Sequence, residues 1–332
     1  MSNIDFVVTW VDGGDPKWLA KKKLFDKSIQ IDESMNASKN YRPGNNFKYW
    51  FRAVEKNAPW VHKIYLVTDD QVPEWLNLAH PKIEVIDHKQ IFPQDALPTF
   101  NSNAIDINLY KIPGLSEQFV YFNDDIYITN STTSEDFFKN NLPCDIAQLN
   151  PIVAVRGGTG NFQVNDMMVI NEHFTKKELL KNGKMLSLKN GLKAVIRTGL
   201  QLPSKFTCGF FDPHLPLSFL KSTFEEIQNI SQDELKATTY SRFRDARNVS
   251  VWLMRYWQLA TGKFFIRNNE KLGKFYSLAD DKQAEVWATF ESKLPKVMCI
   301  NDSANISNPD ATDKKLSEYL DNIFPEKSSY EK

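Results

Sequence analysis

The first half of the chain alternates short apolar runs with stretches whose apolar residues recur at helical spacing, a pattern of strands and helices in turn that predicts βαβ units and parallel strands. Residues 5–11 (DFVVTWV) are β-branched and aromatic and read as a strand, closed by Asp12-Gly13-Gly14-Asp15-Pro16, a cluster that no strand or helix interior tolerates. The spacing then predicts a helix over 16–27, a polar loop over 32–46 carrying Pro43 and Gly44, and a helix over 47–57 with Phe47, Trp50, Phe51 and Val54 on one face. Strands are expected at 63–68, 83–87 and 118–122, and a helix over 104–110. From about residue 175 longer helical patterns take over, at 176–182, 186–200, 217–227, 248–261, 280–293 and 314–324, with loops such as Pro213-His214-Leu215-Pro216 between them. The expected fold is α/β, with a mixed, mostly parallel sheet over 1–174 packed against a helix-rich part over 175–332, and the cleft between the two is the expected site.

Composition narrows the classes. The 332 residues carry 41 basic and 41 acidic side chains, which excludes the broad basic footprint of a nucleic-acid binder and leaves any anionic ligand to local groups. Cys144, Cys208 and Cys299 are odd in number and widely spaced, so they fit neither a disulfide framework nor paired zinc ligands and read as reduced core residues. Met1 leads straight into the first strand, no run approaches the length of a membrane span, and no strong amphipathic membrane helix stands out, so the protein reads as soluble and intracellular.

Two strands end in paired acids, Thr68-Asp69-Asp70 and Asn123-Asp124-Asp125, and ligands of open α/β sheets collect outside the carboxyl ends of strands. An apolar strand (FVYF) that stops at two carboxylates suits a hard divalent cation held against a pyrophosphate, and equally an ordinary solvated turn. His214, between Pro213 and Pro216, is a candidate general base or a packing histidine. Arg242, Arg244 and Arg247 precede a helix, where guanidinium forks suit phosphate oxygens or pair with nearby acids on the surface. Neither G-x-G-x-x-G nor a P-loop is present, and Arg156-Gly157-Gly158-Thr159-Gly160 matches neither pattern.

Together these segments resemble the conserved blocks of the Stealth proteins. IDFVVTWVDGGDPKW at the N-terminus is similar to the first block, and RAVEKNAPWVHKIYLVTDDQVPEWL, LPTFNSNAID and FVYFNDDIYI to the second. CGFFDPHLPLSF is similar to the third and VMCINDSAN to the fourth. The chain departs from the family pattern at Asn248, where relatives carry an acid, and before Lys48, where Arg42 and Lys48 remain as phosphate ligands.

The resemblance implies a sugar-1-phosphate transferase that uses a UDP-sugar and Mg²⁺ or Mn²⁺ to build capsular polysaccharide or exopolysaccharide, releasing UMP. It implies nucleotide contacts at Trp10, Val11, Asp12 and Gly13, with further donor contacts at Asn101, Ser102, Asn103 and Asn301. Metal or phosphate handling falls to Asp124, Asp125 and Asp302, and catalysis to His214, Arg244 and Asp125. The implied acceptor is a lipid-linked oligosaccharide at the inner membrane face, with peripheral membrane contact through the substrate or through other polysaccharide-assembly enzymes. A metal-dependent glycosyltransferase releasing UDP would use the same acids, and a non-catalytic assembly subunit would keep the fold alone.

Overall fold

A computed structural model describes residues 2–26, 36, 46–155, 158–303 and 305–332. The chain opens with β1 (Ile4–Thr9), α1 (Pro16–Asp26), α2 (Phe47–Asn57), β2 (Ile64–Thr68), β3 (Ile83–Asp87), α3 (Ser102–Asn108) and β4 (Gln118–Asn123), close to the elements the periodicity predicts. Of the expected loop over 32–46 only Asn36 and Asn46 are described, and Arg42, Arg156 and Gly157 lie outside the described residues. Three short strands follow, β5 (Ile126–Tyr127), β6 (Phe138–Lys139) and β7 (Leu142–Asp145), then α4 (Gly160–His173), α5 (Lys176–Asn182) and α6 (Leu192–Leu200). The second part continues with β8 (Leu217–Leu220), α7 (Lys221–Ile230), α8 (Gln232–Thr239), α9 (Trp252–Thr261), β9 (Phe265–Ile266), β10 (Gly273–Ser277), α10 (Gln283–Phe290), β11 (Val297–Asn301) and α11 (Pro309–Ile323).

Several later expectations need correction. The helix expected over 186–200 is interrupted by Gly191, whose φ of 96° is left-handed, so that α6 starts only at Leu192. The helix expected over 217–227 begins as a strand instead: Leu217–Leu220 pairs antiparallel with β4 before α7 takes over. The segment LSFLKSTFEEI has apolar residues compatible with either period, and the long-range pairing decides. Cys208 is exposed, whereas Cys144 and Cys299 are buried as expected, and all three are free thiols.

The main sheet has the order β3-β2-β1-β4-β8, with β1 to β4 mutually parallel and β8 antiparallel at the edge, which makes the α/β fold mixed and mostly parallel. Successive residues of its strands serve opposite faces. Phe6, Val8, Ile64, Leu66, Val120 and Phe122 join α2, α10, α11 and the β10-β11 strands on one side. Val7, Tyr65, Val67, Phe119 and Tyr121 join α3, α4, α7 and α9 on the other. A sheet covered on both faces needs continuous apolar strands, which is why FVYF and IYLVT do not alternate with polar residues. A second sheet, β10-β11-β5, lets β11 grip the chain just beyond β4, with Cys299 opposite Ile126.

Candidate active site

From β1 the chain steps outward through β2 and β3, and β4 then returns to the other side of β1. The carboxyl ends of β1 and β4, where Thr9 is the register partner of Asn123, therefore flank the reversal in strand order at which open α/β sheets collect ligands. A cleft of about 770 Å³ opens there, lined by both parts of the chain, with Trp10, Ser102 and Asp124 from the first and His214, Arg244 and Asn301 from the second.

Among the residues singled out as nucleotide or sugar contacts, Trp10, Val11, Ser102, Asn103 and Asn301 line this cleft. The Trp10 ring lies parallel to Phe47, with centroids 5.5 Å apart, so the start of α2 holds an aromatic wall in place. Asn103 is buried and its Nδ2 donors have no partner among the described residues, an arrangement that a ligand oxygen would complete. Asp12 and Gly13 are not among the lining residues. The Asp12 carboxylate accepts from Gly14 N at 2.8 Å, and Gln71 Nε2 bridges Asp12 O and Asp15 Oδ2, so these groups set the shape of the loop. Asn101 is wholly buried away from the cleft: it caps α3, and its Nδ2 donates to Ser241 O at 2.9 Å and Asn248 Oδ1 at 2.8 Å, tying α3 to the arginine loop. Lys48 lies over the ring of Tyr49, outside the cleft lining.

Asp124 and Asp125 form the tight turn between β4 and β5. β11 fixes that turn: Asp125 O accepts from Ile300 N at 2.9 Å, and Asp125 Oδ2 accepts from Asn301 Nδ2 at 3.1 Å. The other oxygen, Oδ1, is buried and has no hydrogen-bond partner among the described residues. Enclosure in the cleft and, for Asp124, the adjacent charge of Asp125 push both carboxyls above the usual carboxylate range. Two raised neighbouring acids and an orphaned oxygen fit a cation. Among the described residues no three His, Cys, Asp or Glu side chains converge as a ready metal cage. An ion at this turn would be held by one or two carboxylates and completed by substrate phosphates, as Mg²⁺ commonly is. Asp302 also lines the cleft, its Oδ1 accepting from Ser303 N at 2.7 Å.

His214 has a left-handed backbone, with φ of 48°, and lines the cleft with its ring edge-on to Phe275. Asp212, two residues earlier, braces it: Oδ1 accepts from His214 N at 3.0 Å, while Oδ2 lies 3.5 Å from Nδ1. A carboxylate facing Nδ1 favours the tautomer with its proton there, which would leave Nε2 to accept, the arrangement of an oriented base. The motif D-P-H was visible, but no role had been attached to its acid.

The three arginines separate cleanly. Arg242 is spent on Pro98 O at 2.8 Å and the Phe25 ring, and exposed Arg247 pairs with Asp245 at 2.8 Å. Arg244 alone of the three lines the cleft, held by Ser102 Oγ at 3.1 Å from Nε and 2.7 Å from Nη2.

Asp106, on the α3 face toward the sheet, is a cleft residue that the sequence reading missed. Burial pushes its carboxyl up to about 7, against the pull of the Tyr121 hydroxyl and the Arg244 charge. Tyr121 Oη lies 2.8 Å from both Asp106 Oδ1 and Asn123 Oδ1. One hydroxyl proton satisfies one of these acceptors, and a proton on Asp106 satisfies both. Asp69, from the other acidic pair, also lines the cleft and is paired with Lys21 at 2.6 Å.

Conserved regions 1, 2 and 3 of the Stealth proteins match residues 2–30, 40–145 and 213–259. Over its whole length the chain is 45% identical to the entire receptor polysaccharide phosphotransferase WefC of Streptococcus oralis. It is 44% identical, again over 100% of both chains, to the capsular polysaccharide phosphotransferase WcwK of Streptococcus pneumoniae. Against the exopolysaccharide phosphotransferase cps2G of Lactiplantibacillus plantarum the identity is 41%, over 99% of this chain and 96% of the relative. Among solved structures, the galactosyltransferase LgtC with donor and acceptor sugar analogs aligns over 96% of this chain and 95% of its own, at a TM-score of 0.40 and 10% identity. The full-length relatives and the three conserved regions establish that this chain is a transferase and belongs to the Stealth family of polysaccharide phosphotransferases.

Proposed function

We propose that the chain moves hexose-1-phosphate, GlcNAc-1-phosphate foremost, from a UDP-sugar to a sugar hydroxyl of a growing capsular polysaccharide or exopolysaccharide, releasing UMP. The observation that carries this reading is the meeting, in one cleft, of the acidic turn, a carboxylate-braced histidine and Arg244. The acceptor oxygen forms a bond to the β-phosphorus as His214 takes its proton. The bond from that phosphorus to the oxygen bridging the α-phosphate breaks, and the electron pair leaves with UMP. Arg244 opposes the charge on the phosphoryl oxygens, its guanidinium preset by Ser102 so that little reorganisation is needed on binding. Asp124 and Asp125 would hold Mg²⁺ or Mn²⁺, which would supply further neutralisation of the pyrophosphate.

In this reading residues 1–174 contribute the donor and metal side, with Trp10 and Val11 against the nucleotide and Ser102 and Asn103 against sugar or phosphate. Residues 175–332 contribute the acceptor side through His214 and Arg244. The acceptor is the end of a lipid-linked oligosaccharide, presented from the inner membrane face alongside other polysaccharide-assembly enzymes. UDP-GlcNAc labelled in its β-phosphorus tests the chemistry. Label recovered in the oligosaccharide supports attack at phosphorus. Label retained in UDP would make the enzyme a glycosyltransferase, and unconsumed donor would make the chain a non-catalytic subunit.

A further inference from the structure

The charges of this neutral chain are unevenly spread. Residues 179–211 contain Lys181, Lys184, Lys189, Lys193, Arg197 and Lys205 and no Asp or Glu. All six are exposed, and among the described residues none of them is in an ion pair. The same segment carries a group of exposed large apolar side chains. On α6, Leu192, Ile196 and Leu200 are 67%, 55% and 73% exposed, with Leu188 and Phe206 at 73% and 60% on either side.

These side chains are not the outer face of a loosely held loop. α6 seats itself through its small residues, Ala194 and Thr198, both buried, with Thr198 Oγ1 accepting from Leu149 N at 3.1 Å. Asn190 Oδ1 accepts from Ala147 N at 2.9 Å just before the helix. Beyond its end Lys176 Nζ donates to Ser204 O at 2.7 Å. The helix is thus amphipathic in reverse: its small face is inside, and a ridge of leucine and isoleucine flanked by Lys193 and Arg197 points to solvent. Cationic stems around an exposed apolar ridge match a bilayer interface, where the apolar residues enter the acyl boundary and the basic heads meet anionic lipid. Phe206 lies eight positions before His214, a span of at most about 27 Å of extended chain, so a docked patch brings the base within reach of a membrane-borne acceptor.

We infer that the 186–206 segment is a peripheral docking surface for an anionic phospholipid bilayer. This deepens the proposed function by giving its lipid-linked acceptor a membrane to arrive from, and it rests on that reading only for its purpose. Vesicle binding is measured without substrate, so either can fail alone.

The test is co-sedimentation of the intact protein with vesicles of equimolar phosphatidylglycerol and phosphatidylcholine, compared with phosphatidylcholine alone. The wild-type chain is expected to pellet with the anionic vesicles and to be released by high salt. Leu192→Ser/Ile196→Ser/Leu200→Ser should stay in solution, with an unchanged melting temperature and unchanged turnover on a short soluble acceptor. A second variant, Lys189→Glu/Lys193→Glu/Arg197→Glu, removes three basic residues worth roughly fivefold each, for a loss of affinity on the order of a hundredfold. Wild-type protein left in the supernatant, variants that bind as well as wild type, or a dimer held by this patch and dissolved by the same substitutions would each overturn the inference.

Discussion

Replacing Asp212 with Asn leaves a side chain of the same size whose carbonyl still accepts from His214 N, but it removes the negative charge 3.5 Å from His214 Nδ1. In the proposed reaction that charge matters only once the imidazole has taken the acceptor's proton, so the loss should fall on kcat rather than on donor KM. Two unit charges at that separation interact by about 1 kcal/mol in water and about 5 kcal/mol at the effective dielectric of a protein site. The His214 side chain is 40% exposed and Asp212 only 8%, so an intermediate value of about 2.5 kcal/mol is appropriate, roughly a seventyfold drop in kcat. Single-turnover release of nucleotide, with the melting temperature as control, reads the effect. His214→Ala should lose more, and the double variant no more than His214→Ala alone, since Asp212 acts through the ring. A kcat for Asp212→Asn within about threefold of wild type, or additive losses in the double variant, would refute the assignment.

Arg244→Lys keeps a charge but loses the fork seated on Ser102 and should cost about a hundredfold in kcat/KM, whereas Arg247→Ala, on an exposed arginine paired with Asp245, should change it less than about twofold. Asp106 and Asp166 have carboxyls pushed up by burial, to about 7 and about 8. Between the usual aspartate range and pH 7 the folded protein therefore holds more protons than the unfolded one, and metal-free stability should fall as pH rises through that window. Added Mg²⁺ should raise the melting temperature more at pH 8 than at pH 5, and Asp124→Asn/Asp125→Asn should abolish that increment. Near the C-terminus, Arg52 Nε and Nη2 meet Glu331 at 2.8 and 2.9 Å; against the upward push of burial, bonds from Arg52 and Ser328 hold Glu331 below the usual glutamate range. Glu331→Gln should cost about 2 kcal/mol in denaturant unfolding at neutral pH, a difference that should vanish as the pH falls below that range.

The parts of the fold legible from sequence were those decided locally. Strands β1, β2 and β4 and helix α2 were recoverable because DFVVTWV, IYLVT and FVYF are apolar runs bounded by turn residues and FKYWFRAVEKN is apolar at helical spacing. The misassigned start of α7 was decided by pairing with β4, about a hundred residues away in the chain, and no local signal records that. The site divides along the same line. Asp124 and Asp125 stood out because carboxylates at the end of an apolar strand are costly without a purpose. Asp106 did not, because in sequence it is an ordinary polar residue of a short helix, and only the packing of α3 on Tyr121 buries it. Arg244 was separable from Arg242 and Arg247 only after Pro98 and Asp245 had claimed the other two. The reversed amphipathicity of α6 was hidden for a related reason: LKAVIRTGL gathers Leu192, Val195, Ile196 and Leu200 on one face, as a core-facing helix does, yet Ala194 and Thr198, not its leucines, turn inward.

The central claim is that attack occurs at phosphorus and not at the anomeric carbon, and the nucleotide left behind decides it. Purified protein given UDP-GlcNAc, Mg²⁺ or Mn²⁺ and a lipid-linked oligosaccharide, with the nucleotides resolved by anion-exchange chromatography, should yield UMP in step with acceptor consumed. UDP in that proportion would contradict the account and place the same cleft in the service of glycosyl transfer.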